Sequence, residues 1–482
     1  MSSRDYPRPA QQLKDSANRV LLVSAGLLHP KKTDHPAARL HRYLNYGLLT
    51  LASILKQNGF STRLIHGQFR DPSILAKNIG EEEKSSNIIL LSLPSNYAMS
   101  WAREFVICIK RIRPEIRVVV GGRWVVKEDG HWIRKQLPGT DLVVYGTADA
   151  RILDIVHPAM WPMLHGTDRS FEAQSTDTLW NPDQELNYDV MDDFHEYHPS
   201  LEVSRGCGKG CSFCEEKNVP LSRLRKAESI MTSVRRAVEL YEDPHLRFYF
   251  EASWFAPDPH WAASFARSYE ASGLPITWRC ETRVDVVQPA TLEILGKAGL
   301  RVIDLGLESA SPRQLLSMKK TANPASYLAN ASKVLQACRD NGIWAKVNVL
   351  LYAGENQETM DETIEWLDFH RDCIKGVSAG PVVVYGRGEG TSLYLQELAA
   401  LGASPVNPEA ADKEGYSLMN LSPTIDHESA NQRAIDIAKS FMTDRDYYEL
   451  KAFTYLPRGY SFSDFQRDGE YIDVSLLPFS MT

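Results

Sequence analysis

The sequence predicts an α/β protein in three parts: a doubly wound parallel-sheet domain, a partial (βα)6 barrel, and a mixed C-terminal extension. Two observations carry the prediction. Strand-length apolar runs alternate with helical patterns through most of the chain, as parallel sheets covered by helices require. The alternation breaks once, in a polar stretch rich in turn formers (Gly166–Phe194), and restarts with a new cadence. At 482 residues the chain exceeds one simple core, so two or three domains are expected.

The first apolar runs are "RVLLVSA" (Arg19–Ala25), "STRLIHG" (Ser61–Gly67), "NIILLSL" (Asn87–Leu93), "IRVVVGG" (Ile116–Gly122) and "DLVVYG" (Asp141–Gly146). Between them, "LNYGLLTLASILKQNG" reads as a helix closed by Gly59, a residue suited to a left-handed cap. These elements define a domain over residues 15–160. Its ligand is expected outside the carboxyl ends of the strands. Residues 161–199 read as a linker.

The second series is "SLEVSRG" (Ser200–Gly206), "LRFYFEAS" (Leu246–Ser253), "ITWRCETRVD" (Ile276–Asp285), "RVIDLGLES" (Arg301–Ser309), "WAKVNVLLY" (Trp344–Tyr352) and "VSAGPVVVY" (Val377–Tyr385). Helical patterns separate these runs. Leu328, Ala331, Leu335 and Cys338 share one face of a segment that stops at Gly342. Six such units resemble an incomplete TIM-type barrel over residues 200–391, with its chemistry on loops at the carboxyl ends of the strands. Residues 392–482 are expected to form an extension capping the barrel.

Composition narrows the functional classes. The net charge of −7 arises from interspersed signs, which argues against an extended nucleic-acid surface and leaves room only for a local basic groove. No window approaches the roughly 18 apolar residues of a membrane span. The N-terminal stretch "MSSRDYPRPAQQLKDSANR" lacks a secretory apolar core, so a cytoplasmic location without membrane partners is expected. Four of the seven cysteines stand singly, which is not a disulfide framework.

The other three, Cys207, Cys211 and Cys214, fall in "SRGCGKGCSFC" after the first barrel strand. A structural zinc site normally takes four ligands; no second cysteine pair exists and no histidine lies in this loop. A disulfide would leave one thiol over. Three thiolates on a four-iron cluster fit better, with one iron left open for a further ligand. Glycines 206, 208 and 210 allow the backbone to wrap closely and present amides toward sulfur.

This CxxxCxxC, with Phe213 before its third cysteine and a barrel strand before its first, resembles the radical S-adenosylmethionine superfamily. The resemblance covers roughly Ser200–Thr391, including "YGRGEGTSLY" after the sixth strand. It implies a [4Fe–4S] cluster on Cys207, Cys211 and Cys214, whose open iron chelates S-adenosylmethionine. Reductive cleavage of that cofactor gives methionine and a 5′-deoxyadenosyl radical. "GLESAS" (Gly306–Ser311) resembles the segment that contacts the nucleoside, implicating Glu308 and Ser309. "NVLLYAGE" (Asn348–Glu355) resembles GxIxGxxE, with Asn348 and Tyr352 where glycines are usual. "FEAS" and "TRVD" put Glu251 and Arg283 near strand ends, where they would hold amine and carboxylate groups or form rim ion pairs. Tyr352 and Tyr385 end the fifth and sixth strands and are candidate proton or hydrogen-atom relays.

The N-terminal domain resembles the cobalamin-binding domain found ahead of such barrels. Ser92-Leu93-Pro94 stands where that domain has SxL, and Gly121 and Gly122 match its glycine pair. The DxHxxG signature for an axial histidine is missing: after the first strand only His29 and His35 occur, and "DHPAAR" has the wrong spacing. Trp124 follows the glycine pair, where the cofactor's tail would pass. A cobalamin site and a domain that only braces the barrel both stay open at this level.

The resulting expectation is a radical enzyme that abstracts hydrogen from a small-molecule or peptide substrate in specialised metabolism. An external electron donor such as flavodoxin or ferredoxin would serve it. Two outcomes follow: cobalamin-dependent methylation, or methyl-free dehydration, epimerisation or rearrangement. A non-catalytic iron–sulfur electron carrier is the remaining alternative.

Overall fold

A computed structural model describes residues 19–30, 35–125, 130–161, 169–173, 181–470 and 472–481. The first residues of the expected N-terminal domain and parts of the expected linker therefore lie outside the described residues. The described chain divides into two compact units. One comprises Met1–His29, Gly47–Trp180 and Gln184–Asp192, and the other Pro30–Tyr46, Asn181–Asp183 and Asp193–Thr482.

The first unit is built on β1 (Arg19–Ser24), β2 (Ser61–His66), β3 (Ser86–Ser92), β4 (Arg117–Gly121), β5 (Leu142–Tyr145) and β6 (Ser170–Glu172). All pairs are parallel, in the order β2-β1-β3-β4-β5-β6. The apolar runs are strands because both faces are covered: Leu22, Val23, Ile89 and Val120 are fully buried. The order changes direction between β1 and β3, the switch point outside whose carboxyl ends doubly wound sheets bind their ligands. Helix Tyr46–Gln57 is followed by Gly59 at φ +85°, the left-handed conformation that glycine adopts without steric cost. Helix Pro72–Glu82 starts on Asp71, whose carboxylate accepts from the Ser73 and Ile74 amides at 2.8 and 2.9 Å. Within 161–199, Ser170–Glu172 extends the sheet as its sixth strand, so that stretch is not linker throughout.

In the second unit β7 (Ser200–Glu202), β8 (Arg247–Glu251), β9 (Thr277–Arg283), β10 (Leu300–Glu308), β11 (Trp344–Leu351) and β12 (Gly376–Pro381) follow one another in sequence order, every pair parallel. This is the partial barrel. Alternation along the strands sets its two faces. Phe248, Phe250, Trp278 and Cys280 are fully buried, and Phe250 and Trp278 pack on Phe265 of helix Pro259–Ser272. The intervening residues are polar and share the opposite face. There Arg279 forms a bidentate pair with Asp304 at 2.5 and 2.8 Å, and Lys346 reaches Asp304 at 2.9 Å. The barrel core is thus apolar outside the sheet and ionic within.

The barrel does not close in simple βα order. Pro381 ends β12, since proline has no amide proton to continue the ladder. The chain then enters an antiparallel sheet of β13 (Val383–Tyr385), β14 (Ser404–Pro405) and β15 (Tyr416–Asn420), ordered β13-β15-β14. Only afterwards does helix His427–Ser440 pack back on β12. The sixth barrel helix therefore lies inside what the sequence reading treated as extension.

The remaining tail packs Phe453, Leu456, Phe465, Leu477 and Phe479 into an apolar cluster with Val302 of β10 and Ala37. His35 belongs to this core: it is 1% exposed, stacks on Phe465 with ring centroids 4.0 Å apart, and accepts the Ala37 amide through Nδ1. Burial holds its imidazole below the usual range. The tail also supplies the Leu450 carbonyl that accepts from Arg279 at 2.9 Å.

Candidate active site

The cysteine loop is shaped by a returning segment that runs beside it. The Cys207 amide donates to Val219 O, the Ser222 amide to Arg205 O, and the Arg225 amide to Val203 O, at 3.0, 2.8 and 2.8 Å. Gly206, Gly208 and Gly210 take φ of +74°, +66° and +76°. A Cβ at Gly206 would stand 2.1 Å from the Pro220 carbonyl oxygen, so only glycine allows the two segments to lie this close. Cys211 is buried, and Cys207 and Cys214 are half-buried. Burial pushes the Cys214 thiol up, with Glu216, Cys207 and Cys211 adding to the shift. The three sulfurs are therefore within electrostatic reach of one another. Among the described residues no three His, Cys, Asp or Glu side chains converge at single-ion spacing. A four-iron cluster needs no such convergence, because each thiolate binds its own iron. The donor set and the glycine-built loop fit that group.

Around the loop the structure gathers several of the sequence candidates. Arg283 points Nη1 at Cys211 Sγ, 3.3 Å away. It is held by two 2.9 Å bonds to Asp285 and one of 2.7 Å to the Lys320 carbonyl. Glu308 sits at φ +67° where the pairing with β11 shifts register, a strained backbone for a side chain of its size. Its carboxylate takes a 2.9 Å ion pair from Lys320, both side chains largely buried. Lys320 also stands 5.8 Å from the Phe213 ring. Phe213 meets Tyr352 edge-on, with centroids 6.4 Å apart.

Other candidates have different duties. Ser309 is buried, and its hydroxyl bonds Thr363 Oγ1 at 3.0 Å and the Ser311 amide, tying the strand end to helix Gln357–Phe369. Asn348 accepts from Lys346 at 3.2 Å on the polar face of the barrel. Tyr352 is buried and shares a 3.1 Å hydroxyl contact with Tyr394. Tyr385 does not end the sixth barrel strand: it lies on β13 opposite Tyr416 and is 41% exposed. The break at Pro381 carries it into the other sheet. Glu251 ends β8, and burial pushes its carboxyl up to about 8.

Lys320 and Asp285 emerge as members of the site through tertiary structure. Asp285 was visible as the end of "TRVD". Lys320 carried no signal, since its partner Glu308 lies twelve residues earlier, across a turn and a short helix.

In the first unit, Ser92 pairs with Gly121, and the Leu93 amide donates to Gly121 O at 2.7 Å. Gly122 takes φ +104°, and a Cβ there would fall 2.6 Å from both Ser92 Oγ and the Leu93 nitrogen. Trp124 is 7% exposed and its amide donates to Leu93 O, so its ring is packed within the domain. Ser95 Oγ, just past the SxL element, is buried without a hydrogen-bond partner among the described residues. The glycine pair and this orphaned hydroxyl at the carboxyl ends of β3 and β4 fit a cofactor tail bound there.

Comparison with known proteins agrees with both halves. Residues 201–367 match the family described as "Radical SAM superfamily", and residues 37–156 match the "B12 binding domain". The chain carries a radical SAM domain. Its barrel is the radical SAM domain, and a B12-binding domain precedes it. The radical SAM domain implies a [4Fe–4S] cluster and S-adenosylmethionine, and the B12-binding domain supports cobalamin.

The fold is shared with the radical S-adenosylmethionine methyltransferase TsrM from Kitasatospora setae. The TM-score is 0.65 at 16% identity, over 95% of this chain and 94% of that one. It is shared also with the cobalamin-dependent S-adenosylmethionine radical enzyme OxsB, at TM-score 0.57 and 17% identity over 80% and 55%. A curated relative, bacteriochlorophyllide d C-12(1)-methyltransferase of Chlorobaculum tepidum, is 26% identical over 124 residues, 25% of this chain. The matching stretch spans 27% of that relative's length. Among the described residues no helix is long and apolar enough to cross a membrane.

Proposed function

We propose that this protein is a cobalamin-dependent radical S-adenosylmethionine methyltransferase acting on a small-molecule or peptide substrate. The observation that carries the reading is the combination, in one chain, of a B12-binding domain with a barrel bearing the three-cysteine loop. The similarity in fold to TsrM and OxsB across both domains supports it, as does the methyltransferase relative.

In this reading Cys207, Cys211 and Cys214 hold the cluster, and the glycines between them let the loop close on it. When bound, the cluster and S-adenosylmethionine supply a strong one-electron reductant and a 5′-deoxyadenosyl radical, and cobalamin supplies a methyl group. The protein's own residues do the rest. The Lys320–Glu308 pair and the strained Glu308 backbone present a fixed carboxylate near the loop, suited to the hydroxyl groups of a ribose. Phe213 and Tyr352 give the adenine an apolar wall. Glu251, held protonated by burial up to about pH 8, acts as a hydrogen-bond donor toward the barrel interior and positions the substrate. Ser92, Gly121 and Gly122 let the backbone approach the cobalamin tail.

The test is product analysis after anaerobic cluster reconstitution with S-adenosylmethionine, a strong reductant and methylcobalamin. Candidate substrates are included. Cobalamin-dependent S-adenosylhomocysteine alongside 5′-deoxyadenosine is expected. Deoxyadenosine alone across those candidates refutes methylation and returns the methyl-free alternative.

A further inference from the structure

The surface beside the cysteine loop differs in charge from the rest of the chain. Residues 204–226 carry six basic side chains (Arg205, Lys209, Lys217, Arg223, Arg225 and Lys226) and two acidic ones (Glu215 and Glu216). The whole chain carries a net −7. Four of the six are engaged internally: Arg205 pairs with Glu202 at 2.6 Å, buried Arg225 bonds Ser229 and Ser233, and Lys209 and Lys217 stand over the Trp254 and Tyr394 rings at 4.2 and 5.6 Å. Lys209, Arg223 and Lys226 are exposed, as are the apolar Val219 at 44% and Leu221 at 38%.

Lys209 is held over the Trp254 ring while exposed to solvent, but local stability does not account for Arg223 and Lys226. Lys226 occupies the N-cap of helix Ala227–Tyr241 and makes no side-chain cap bond. Ser, Thr, Asp or Asn serve best in that position, and a helix N-terminus disfavours positive charge. Exposed valine and leucine on a returning segment gain nothing from burial either. The segment is nevertheless tightly joined to the loop, because exposed Val219 accepts the Cys207 amide at 3.0 Å through its own carbonyl. One hydrogen bond thus connects this surface to a cysteine of the proposed cluster.

We propose that the strip formed by Lys209, Val219, Leu221, Arg223 and Lys226 is the docking surface for a small acidic one-electron carrier protein. The inference rests on the functional reading above, which requires an electron from outside. Exposed apolar residues interspersed with cations on one segment match the small interfaces of transient redox encounters. The overall negative charge repels an acidic carrier elsewhere, so the strip steers it to the cluster. In the encounter the carrier is oxidised by one electron and the cluster is reduced by the same electron, with no bond made or broken.

The experiment uses the full chain with its cluster reconstituted and a flavodoxin as the acidic carrier. Binding is read by fluorescence anisotropy at low and high salt. Cluster reduction is read by absorbance bleaching with flavodoxin hydroquinone and, separately, with dithionite. The double variant Arg223→Glu/Lys226→Glu is compared with Lys297→Glu, a reversal on helix Pro289–Lys297 that is 74% exposed. Expected are at least tenfold weaker binding and slower reduction by flavodoxin for the double variant at low salt. The difference should shrink at high salt, with dithionite reduction unchanged and Lys297→Glu close to the parent. Equal binding and reduction by parent and double variant, or an equal loss in Lys297→Glu, overturns the docking surface. Absence of S-adenosylmethionine cleavage with dithionite in the parent refutes the functional reading instead.

Discussion

Alanine at Gly206 and at Gly210 should separate backbone strain from crowding in the cysteine loop. Both glycines occupy the left-handed region, at +74° and +76°, so either alanine carries conformational strain of about 1–2 kcal/mol. Their surroundings differ. Nothing lies within 4 Å of a Cβ at Gly210, whereas one at Gly206 meets Pro220 O at 2.1 Å and Val219 O at 2.9 Å. Those are backbone atoms, and the second already accepts from Cys207. Relief requires the returning segment to shift, and overpacking of this kind adds about 1–3 kcal/mol. The shift also pulls Cys207 away from Cys211 and Cys214. Gly206→Ala is therefore expected to lower Tm more than Gly210→Ala and to lose most of its reconstituted iron and sulfide. Gly210→Ala should retain most of both. Iron, sulfide and thermal melts of the two variants measure this directly. A Gly206→Ala protein with parental iron content and Tm would refute the close packing of the two segments.

Three further outcomes are expected. Arg283→Met removes a cation 3.3 Å from Cys211 Sγ, so the more negative reduced cluster loses a stabilising charge. An electron paramagnetic resonance titration should show a lower midpoint potential, by about 59 mV for each tenfold change in the one-electron equilibrium; an unchanged potential contradicts it. Glu251 keeps its proton in the folded state to about pH 8, against an ordinary 4.5. The folded protein thus binds more protons than the unfolded chain between these values, and stability falls as pH rises through the window. Glu251→Gln should flatten that slope in denaturant melts taken from pH 5 to 9, and an unaltered slope argues against a protonated Glu251. Gly122→Ala places a Cβ 2.6 Å from Ser92 Oγ; absorbance titration with hydroxocobalamin should show at least tenfold weaker binding with cluster loading intact.

Much of the architecture was legible in the chain because it depends on local signals. Apolar runs of strand length, separated by helices with glycine stops at Gly59 and Gly342, were sufficient for two parallel sheets. The spacing of Cys207, Cys211 and Cys214 singled out the loop proposed to hold the cluster. Alternation in "LRFYFEAS" and "ITWRCETRVD" contained the two faces of the barrel, since apolar and polar residues took turns along each strand.

What the chain alone left undecided depends on partners distant in sequence. Tyr385 read as the end of a barrel strand because "VSAGPVVVY" is apolar throughout; only the sheet pairing revealed that Pro381 divides it. The sixth barrel helix was hidden behind an insertion whose length no periodicity marks. His35, which follows β1 without the spacing of an axial ligand, is a core residue of the other unit through its stack on Phe465. The same holds for the electrostatics. Lys320 meets Glu308, and Arg283 meets Cys211, because strand ends converge in a parallel barrel, and a burial that sequence does not record decides which of those charges persist.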